Sequence, residues 1–312
     1  MKKIWNIRGK EGKYGDNIYC DLYKACKDLN NRDLKTGKRQ KTLDAIKRRV
    51  GPVDNKSTLI TTSGDWGIKK TECKITSTPL YSYTIEDATH GGAYLNLEIN
   101  SVLEGVKRWF MTNQYSFLHE KIYPVPLGIY QPDWKNSNVE ELRSIKKEGL
   151  CYANFTMTSP YRIRVAEWCS QQSFIEWYFP KRYKTQDIEL NMPILSGERL
   201  EMKAFLKTLA SYNFAIAPTG NGLDTFRTWD CILCNTVPIV QDNWMNRVFS
   251  RIWPMVLVPR YEFTNVPSLL DKFMDEHGEN ISYDYSLLLE ENFDELLNRL
   301  ENESHRLRRE YL

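Results

Sequence analysis

Between residues 212 and 240 the chain reads as an apolar strand, a loop holding two glycines, a helix and a second apolar strand, and few folds accommodate that succession. Tyr212–Ala217 is the first strand, Thr225–Cys234 the helix and Val237–Val240 the second strand. Short apolar runs bounded by turn residues are buried strands, and a strand–helix–strand unit is a right-handed parallel crossover. The alternation continues with a helix over Asn243–Ile252 and a strand over Met255–Val258. Upstream, Leu150–Phe155 is a strand, and Pro160 opens a helix, in keeping with proline's preference for a first turn. Ser196 caps an amphipathic helix that runs through Leu200, Phe205, Leu206 and Leu209 to about Ala210. The second half of the chain is therefore a doubly wound α/β unit.

The first half carries the same pattern less regularly. Ile4–Arg8, Thr58–Thr62, Arg108–Thr112 and Ile122–Val125 read as strands. Ile18, Leu22, Ala25, Cys26 and Leu29 share one helical face, which predicts an amphipathic helix over Asp16–Asn30. A turn composition follows at Pro126-Leu127-Gly128-Ile129, and the polar stretch from Asn136 to Gly149 is the expected domain boundary. The expected organisation is an N-terminal domain over 1–140, a C-terminal domain over 141–290, and a helix over 291–312. That helix presents Phe293, Leu296, Leu297, Leu300 and Leu307 on one side, for docking on the domains.

Length and composition agree with two packed domains. The 312 residues divide into two units of about 150 each, and 41% hydrophobic residues with 12% aromatics exclude a disordered chain. A net charge of +3 is too small for a dedicated nucleic-acid binder. Lys35 to Arg49 does carry seven Lys/Arg against Asp44 alone, but no aromatic platform is interleaved, so a solvated face is the simpler reading. No run of about 18 apolar residues exists to span a membrane. The opening Met1–Arg8 lacks the apolar centre of a signal peptide. Seven scattered cysteines show no zinc spacing; Cys231 and Cys234, one helical turn apart, read as packed free thiols. A reduced, cytoplasmic protein is expected.

The chemistry is concentrated at the glycine loop. Gly220 and Gly222 end the strand and feed a helix that Asp224 caps, with Thr225 at its start. Such loops bring backbone N–H groups to a diphosphate, and the helix dipole favours its negative charge. In open α/β sheets ligands sit at the carboxyl ends of the strands, where this loop must lie. Phe226, Trp229 and Leu233 form the stripe that packs on the sheet, while Arg227 and Asp230 project together one turn apart. Arg227 suits an anion and Asp230 suits ribose hydroxyls; the same spacing also describes an ordinary surface ion pair. A Walker loop needs a Gly-Lys-Ser/Thr that is absent, and a dinucleotide fingerprint needs glycine where Thr225 stands.

The run Pro218-x-Gly220-x-Gly222-x-Asp224-x-x-Arg227-x-Trp229-Asp230, followed by Cys234-Asn-Thr-Val-Pro-Ile-Val240, closely resembles the signature of exostosin-like glycosyltransferases, the glycosyltransferase family 47 type. It departs from the family in having Asp230 for the usual Glu and Asn235 for the usual Gly. Leu150 to Arg162 is similar to the segment that opens the family's donor domain, and Trp109–Asn113 with Ile122–Ile129 to the end of its acceptor domain. The resemblance touches about two-thirds of the chain. It implies a GT-B fold, two Rossmann-like domains facing each other across a cleft, and an inverting transfer from a nucleoside-diphosphate sugar, read as a UDP-sugar, to a glycan hydroxyl. It implies donor contacts from Asn154, Thr158, Arg162, Gly220, Gly222, Asp224, Thr225, Arg227 and Asp230, with Arg164 the alternative to Arg162. A chain without a membrane anchor resembles a bacterial or large-virus form of the family.

No Asp-x-Asp occurs, so a metal-free site with no cofactor is expected, the arginines and helix N-termini carrying the leaving-group charge. The transfer needs a general base. Asp65, in the Ser-Gly-Asp-Trp turn just past the Thr58–Thr62 strand, is the first candidate, and His90 the second. Asp65 reads equally as a turn residue bonding its own backbone, His90 as a surface polar group, and Trp66 as either a sugar platform or core. Two other classes stay open: a non-catalytic nucleotide-sugar or glycan binder, and a nucleic-acid-binding protein resting on Lys35–Arg49.

Overall fold

The computed structural model describes residues 12–14, 16–21, 46–47, 50–62, 67–69, 94–96, 99–114, 119–129, 134, 137–157, 160–180, 196–220, 222–259, 263–278 and 281–311. In chain order the strands of the first half are β1 (Gly12–Tyr14), β2 (Asn17–Asp21), β3 (Thr58–Thr62), β4 (Gly67–Lys69), β5 (Tyr94–Asn96), β6 (Arg108–Met111) and β7 (Ile122–Pro124). Those of the second half are β8 (Gly149–Ala153), β9 (Ile175–Trp177), β10 (Tyr212–Ile216), β11 (Val237–Gln241) and β12 (Val256–Val258). The described helices are α1 (Ile99–Gly105), α2 (Val139–Arg143), α3 (Pro160–Ser170), α4 (Met202–Ala210), α5 (Phe226–Leu233), α6 (Trp244–Ser250), α7 (Val266–His277) and α8 (Phe293–Tyr311).

The strands make an α/β architecture of two sheets with parallel strands. The first runs β1-β2-β3-β6-β7, parallel except for the β1–β2 pair; the second runs β12-β11-β10-β8-β9 and is parallel throughout. β4 and β5 pair separately. No helix among the described residues is long and apolar enough to cross a membrane.

In the first sheet the side chains alternate between two buried faces, as the period of a strand requires. Ile18, Cys20, Leu59, Trp109, Met111 and Ile122 pack with Val102, Leu103 and Val106 on and just after α1. Tyr19, Ile60, Phe110 and Tyr123 point the other way, into the core shared with the second half. Part of that cover is α8: Tyr19 lies 6.3 Å from the Phe293 ring, and Tyr123 meets His305 edge-on at 5.5 Å. Arg108 pairs with Glu301 at 2.8 Å, and Asn17 donates to Asp294 at 2.8 Å. At its other end α8 reaches the second half, where Tyr311 and Glu310 meet Arg247 and Arg251 of α6 and its C-cap.

Two sequence expectations are corrected here. The helix expected over Asp16–Asn30 is a strand at Asn17–Asp21, and residues 22–30 lie outside the described set. The i, i+4 spacing of apolar residues is also satisfied by a strand buried on both faces, and in-register pairing with β3 decides the matter. Ser196 does not cap α4, which begins at Met202; its hydroxyl accepts the Phe179 N–H at 2.9 Å instead. The strand expected at Ile4–Arg8 lies outside the described residues. The remaining strands and helices of the sequence reading fall within a few residues of the observed ones.

The C-terminal end of α5 accounts for an asparagine where the resembled family has glycine. Asn235 has a left-handed φ of 55°. Thr236 N–H reaches Cys231 O at 2.9 Å and Asn235 N–H reaches Ile232 O at 3.3 Å, the paired bonds of a Schellman ending. Asparagine tolerates this backbone better than other β-carbon residues, and its Oδ1 accepts the Tyr283 N–H at 3.1 Å. Asn235→Ala is therefore expected to lower unfolding free energy by about 1–2 kcal/mol. Asn235→Gly should lose less than half as much in urea denaturation; equal losses would contradict the conformational argument.

Candidate ligand site at the sheet switch point

The second sheet reverses its direction of growth between β8 and β10, since the chain adds β9 on one side of β8 and β10, β11 and β12 on the other. In open α/β sheets the loops that leave the carboxyl ends of the strands at such a point are where ligands sit. Asn154 to Met157 follow β8, and Ala217 to Thr225 follow β10 into α5.

Arg162 on α3 staples the two loops together. Its Nη1 donates to Thr156 O at 3.0 Å, its Nε to Thr219 O at 2.8 Å and its Nη2 to Pro218 O at 3.2 Å. Burial, with the nearby Arg227 charge, lowers its pKa to about 10. These carbonyl bonds give Arg162 a loop-holding role, and Arg164 stands exposed on the same helix. Asn154, 8% exposed, donates to the Tyr152 hydroxyl at 3.0 Å.

Both glycines are required by close approach of the protein to itself. A Cβ on Gly220 would lie 2.8 Å from Arg162 Nη2, and one on Gly222 would lie 2.6 Å from Asn113 Oδ1. Asn113 belongs to the first half, just past β6, and itself has a left-handed φ of 55°. The glycine loop is thus pressed against the carboxyl edge of the first sheet.

Asp224 completes that contact. Its Oδ2 accepts the Leu127 N–H at 2.6 Å, its Oδ1 accepts the Trp229 indole N–H at 2.9 Å, and its own N–H donates to Asn113 Oδ1 at 2.9 Å. The residue at the N-cap of α5 is Thr225, without a side-chain cap bond, so Asp224 stands one residue earlier than the expected cap and turns inward. Burial pushes its carboxyl up to about 7, against the pull of the Leu127, Trp229 and Thr225 donors.

Arg227 and Asp230 do project together, with Arg227 Nη1 3.6 Å from Asp230 Oδ2. Asp230 Oδ1 accepts the Trp134 indole N–H at 2.8 Å, a second link to the first half. The Arg227 guanidinium lies 3.8 Å over the Phe205 ring, an arrangement that holds a cation without using its N–H groups. Its Nε and Nη1 are buried and have no hydrogen-bond partner among the described residues, and neither has the buried Thr225 Oγ1. An unsatisfied buried donor costs about 1–3 kcal/mol, more when charged. Donors of this kind can take an anionic oxygen or a water.

Thr158, Asp65, Trp66 and His90, and all of Lys35–Arg49 except Ile46 and Lys47, lie outside the described residues. Asn113, Leu127, Trp134 and Phe205 were not singled out by sequence as site residues. The left-handed Asn113 after a buried strand is the one of them with a local signal, since asparagine is the common non-glycine occupant of that conformation. Among the described residues no group of three His, Cys, Asp or Glu side chains is placed to hold a metal ion. No protein-family model matches the chain, and a search of curated proteins finds no match.

The Asp224 environment has a consequence for stability. Its folded pKa of about 7 lies above the ordinary value of 3.8, so folding retains a proton that the unfolded chain releases. The penalty is absent below about pH 4 and grows as pH rises towards 7. Comparing Asp224→Asn with the wild type from pH 4.5 to 7.5 should therefore show a shallower fall in stability for the variant, whatever its overall offset. Parallel curves would mean that Asp224 does not titrate in this window.

Proposed function

We propose that the chain is an inverting glycosyltransferase of GT-B arrangement. It would bind a nucleoside-diphosphate sugar, read as a UDP-sugar, beside the loops that follow β8 and β10 and transfer the sugar to a glycan hydroxyl. The observation that carries this reading is the half-buried Arg227 guanidinium beside the glycine loop, which lies over Phe205, pairs with Asp230 through Nη1 and has no hydrogen-bond partner for Nε among the described residues. A diphosphate supplies the negative charge that such a guanidinium can meet.

In the transfer, the acceptor oxygen attacks the anomeric carbon, the bond to the diphosphate oxygen breaks, and the acceptor proton passes to a base. Arg227 and the amino end of α5 would take up the charge on the departing diphosphate. Asp65 remains the proposed base and His90 its alternative. Asp65 stands three residues beyond β3 in the chain, and β3 runs parallel to β6, whose carboxyl end delivers Asn113 to the glycine loop. The absence of an Asp-x-Asp motif from the sequence supports a reaction without metal, in which Arg227 carries the charge a cation would otherwise neutralise.

One observation favours a second reading. Asp230, the position where the resembled family has Glu, already accepts from Trp134 and pairs with Arg227, which suits a nucleotide-sugar binder without turnover. Release of sugar from a panel of donors separates the two.

A charge-assisted contact is worth roughly 1.5–3 kcal/mol, so Arg227→Ala is expected to cut donor turnover, assayed in EDTA, at least tenfold. A folded variant with unchanged kinetics would remove the site from consideration, and wild-type activity found only with added Mn²⁺ would overturn the metal-free mechanism.

A further inference from the structure

Asp230 stands between two donors from opposite halves of the chain. The Trp134 indole N–H, from the first half, donates to its Oδ1 at 2.8 Å. Arg227, one helical turn away on α5, brings Nη1 to 3.6 Å from its Oδ2. N–H···O hydrogen bonds extend to about 3.2 Å. The indole contact is therefore a hydrogen bond, and the guanidinium contact is an ion pair held open.

Local chemistry favours the reverse division. A carboxylate three residues along a helix from an arginine can reach it. A guanidinium–carboxylate bond, with both partners charged, closes to about 2.7–2.9 Å and is stronger than a bond from a neutral donor. A restraint must therefore hold Asp230 off. Trp134 is 3% exposed and belongs to the core shared by the two halves, so packing fixes the direction of its N–H. An indole nitrogen donates and does not accept, and a buried donor left unbonded is costly. Asp230 is the acceptor that this N–H meets.

The consequence falls on Arg227. Phe205 covers one face of its guanidinium at 3.8 Å. Neither Nε nor Nη1 makes a hydrogen bond among the described residues, the contact with Asp230 being too long to count as one. Arg162 lies near enough for the two like charges to act on each other. A carboxylate bonded directly to Nη1 would occupy that donor and draw the charge into a tight pair, at the expense of any incoming anion.

We propose that Trp134 is a positioning residue for the anion site: its indole N–H holds the Asp230 carboxylate back from Arg227 and leaves the guanidinium N–H groups to a diphosphate. The first half of the chain thereby sets the anion affinity of a site built by the second. The restraint stands on the Asp230 geometry, and its effect on ligand affinity rests on the reading of Arg227 as the diphosphate site.

UDP is the probe, titrated calorimetrically into the full chain carrying Trp134→Phe or Trp134→His. Trp134→Phe keeps a ring and loses the N–H. Trp134→His is smaller and more polar, but its Nε2 lies as many bonds from Cβ as the indole nitrogen and can donate. Trp134→Phe is expected to bind UDP about tenfold more weakly than the wild type, and Trp134→His within about threefold of it. A crystal structure of Trp134→Phe should show Asp230 Oδ2 in hydrogen-bond contact with Arg227 Nη1. Trp134→Leu takes the place of Trp134→Phe if that variant does not fold. The proposal is overturned if Trp134→Phe binds UDP as the wild type does, or if Trp134→His loses as much as Trp134→Phe, the order expected of packing alone. An Asp230 still 3.6 Å from Arg227 in the Trp134→Phe crystal overturns it as well. Wild-type protein that does not bind UDP would overturn the donor reading instead, and the Asp230 position in that crystal would then decide the restraint by itself.

Discussion

Asp224 is 4% exposed, yet its carboxylate and N–H make bonds to both halves of the chain. Leu127 and Trp229 donate to it, and it donates to Asn113, so the glycine loop, the start of α5 and the carboxyl edge of the first sheet meet at one residue. A buried carboxylate is tolerated only when its lone pairs are occupied. The geometry of the site therefore depends on the register of β6 and β7, which deliver Asn113 and Leu127, as much as on the loop itself. Gly220 and Gly222 belong to the same constraint: each leaves the space that Arg162 or Asn113 fills.

The α8 helix supports this contact from behind. Its apolar face covers the inner side of the first sheet through Phe293, while Glu301 and His305 engage Arg108 and Tyr123 at the strands that lead to Asn113 and Leu127. Near its end, Glu310 and Tyr311 hold α6 of the second half. The paired contacts between the halves and the helix behind them set the two sheets with their carboxyl edges together. Arg227 and Thr225 are left there with unbonded donors and acceptors.

Much of the second half was legible in the sequence because its strands are short apolar runs separated by glycine, proline or asparagine. Asn243, for instance, was placed at the start of a helix, where its Oδ1 does accept the Asn246 N–H. The pairing of Arg227 with Asp230 followed from helical spacing alone. Contacts between the halves were not legible. Nothing local says that Trp134 will donate to Asp230 or that Leu127 N–H will end on Asp224, because these bonds join residues 96 and 97 positions apart. For the same reason the sequence suggests glycines that make room for a ligand, where the structure has them make room for Asn113 and Arg162. The false helix at Asp16–Asn30 arose where parallel pairing with β3, a long-range contact, decides the outcome.

Arg227, beside the glycine loop, is the proposed anion site for a nucleoside diphosphate. A crystal structure with UDP tests it most directly. Diphosphate oxygens are expected within hydrogen-bonding distance of Arg227 Nε or Nη1, beside the loops that follow β8 and β10. UDP bound elsewhere, with Nε still without a hydrogen bond, would contradict it.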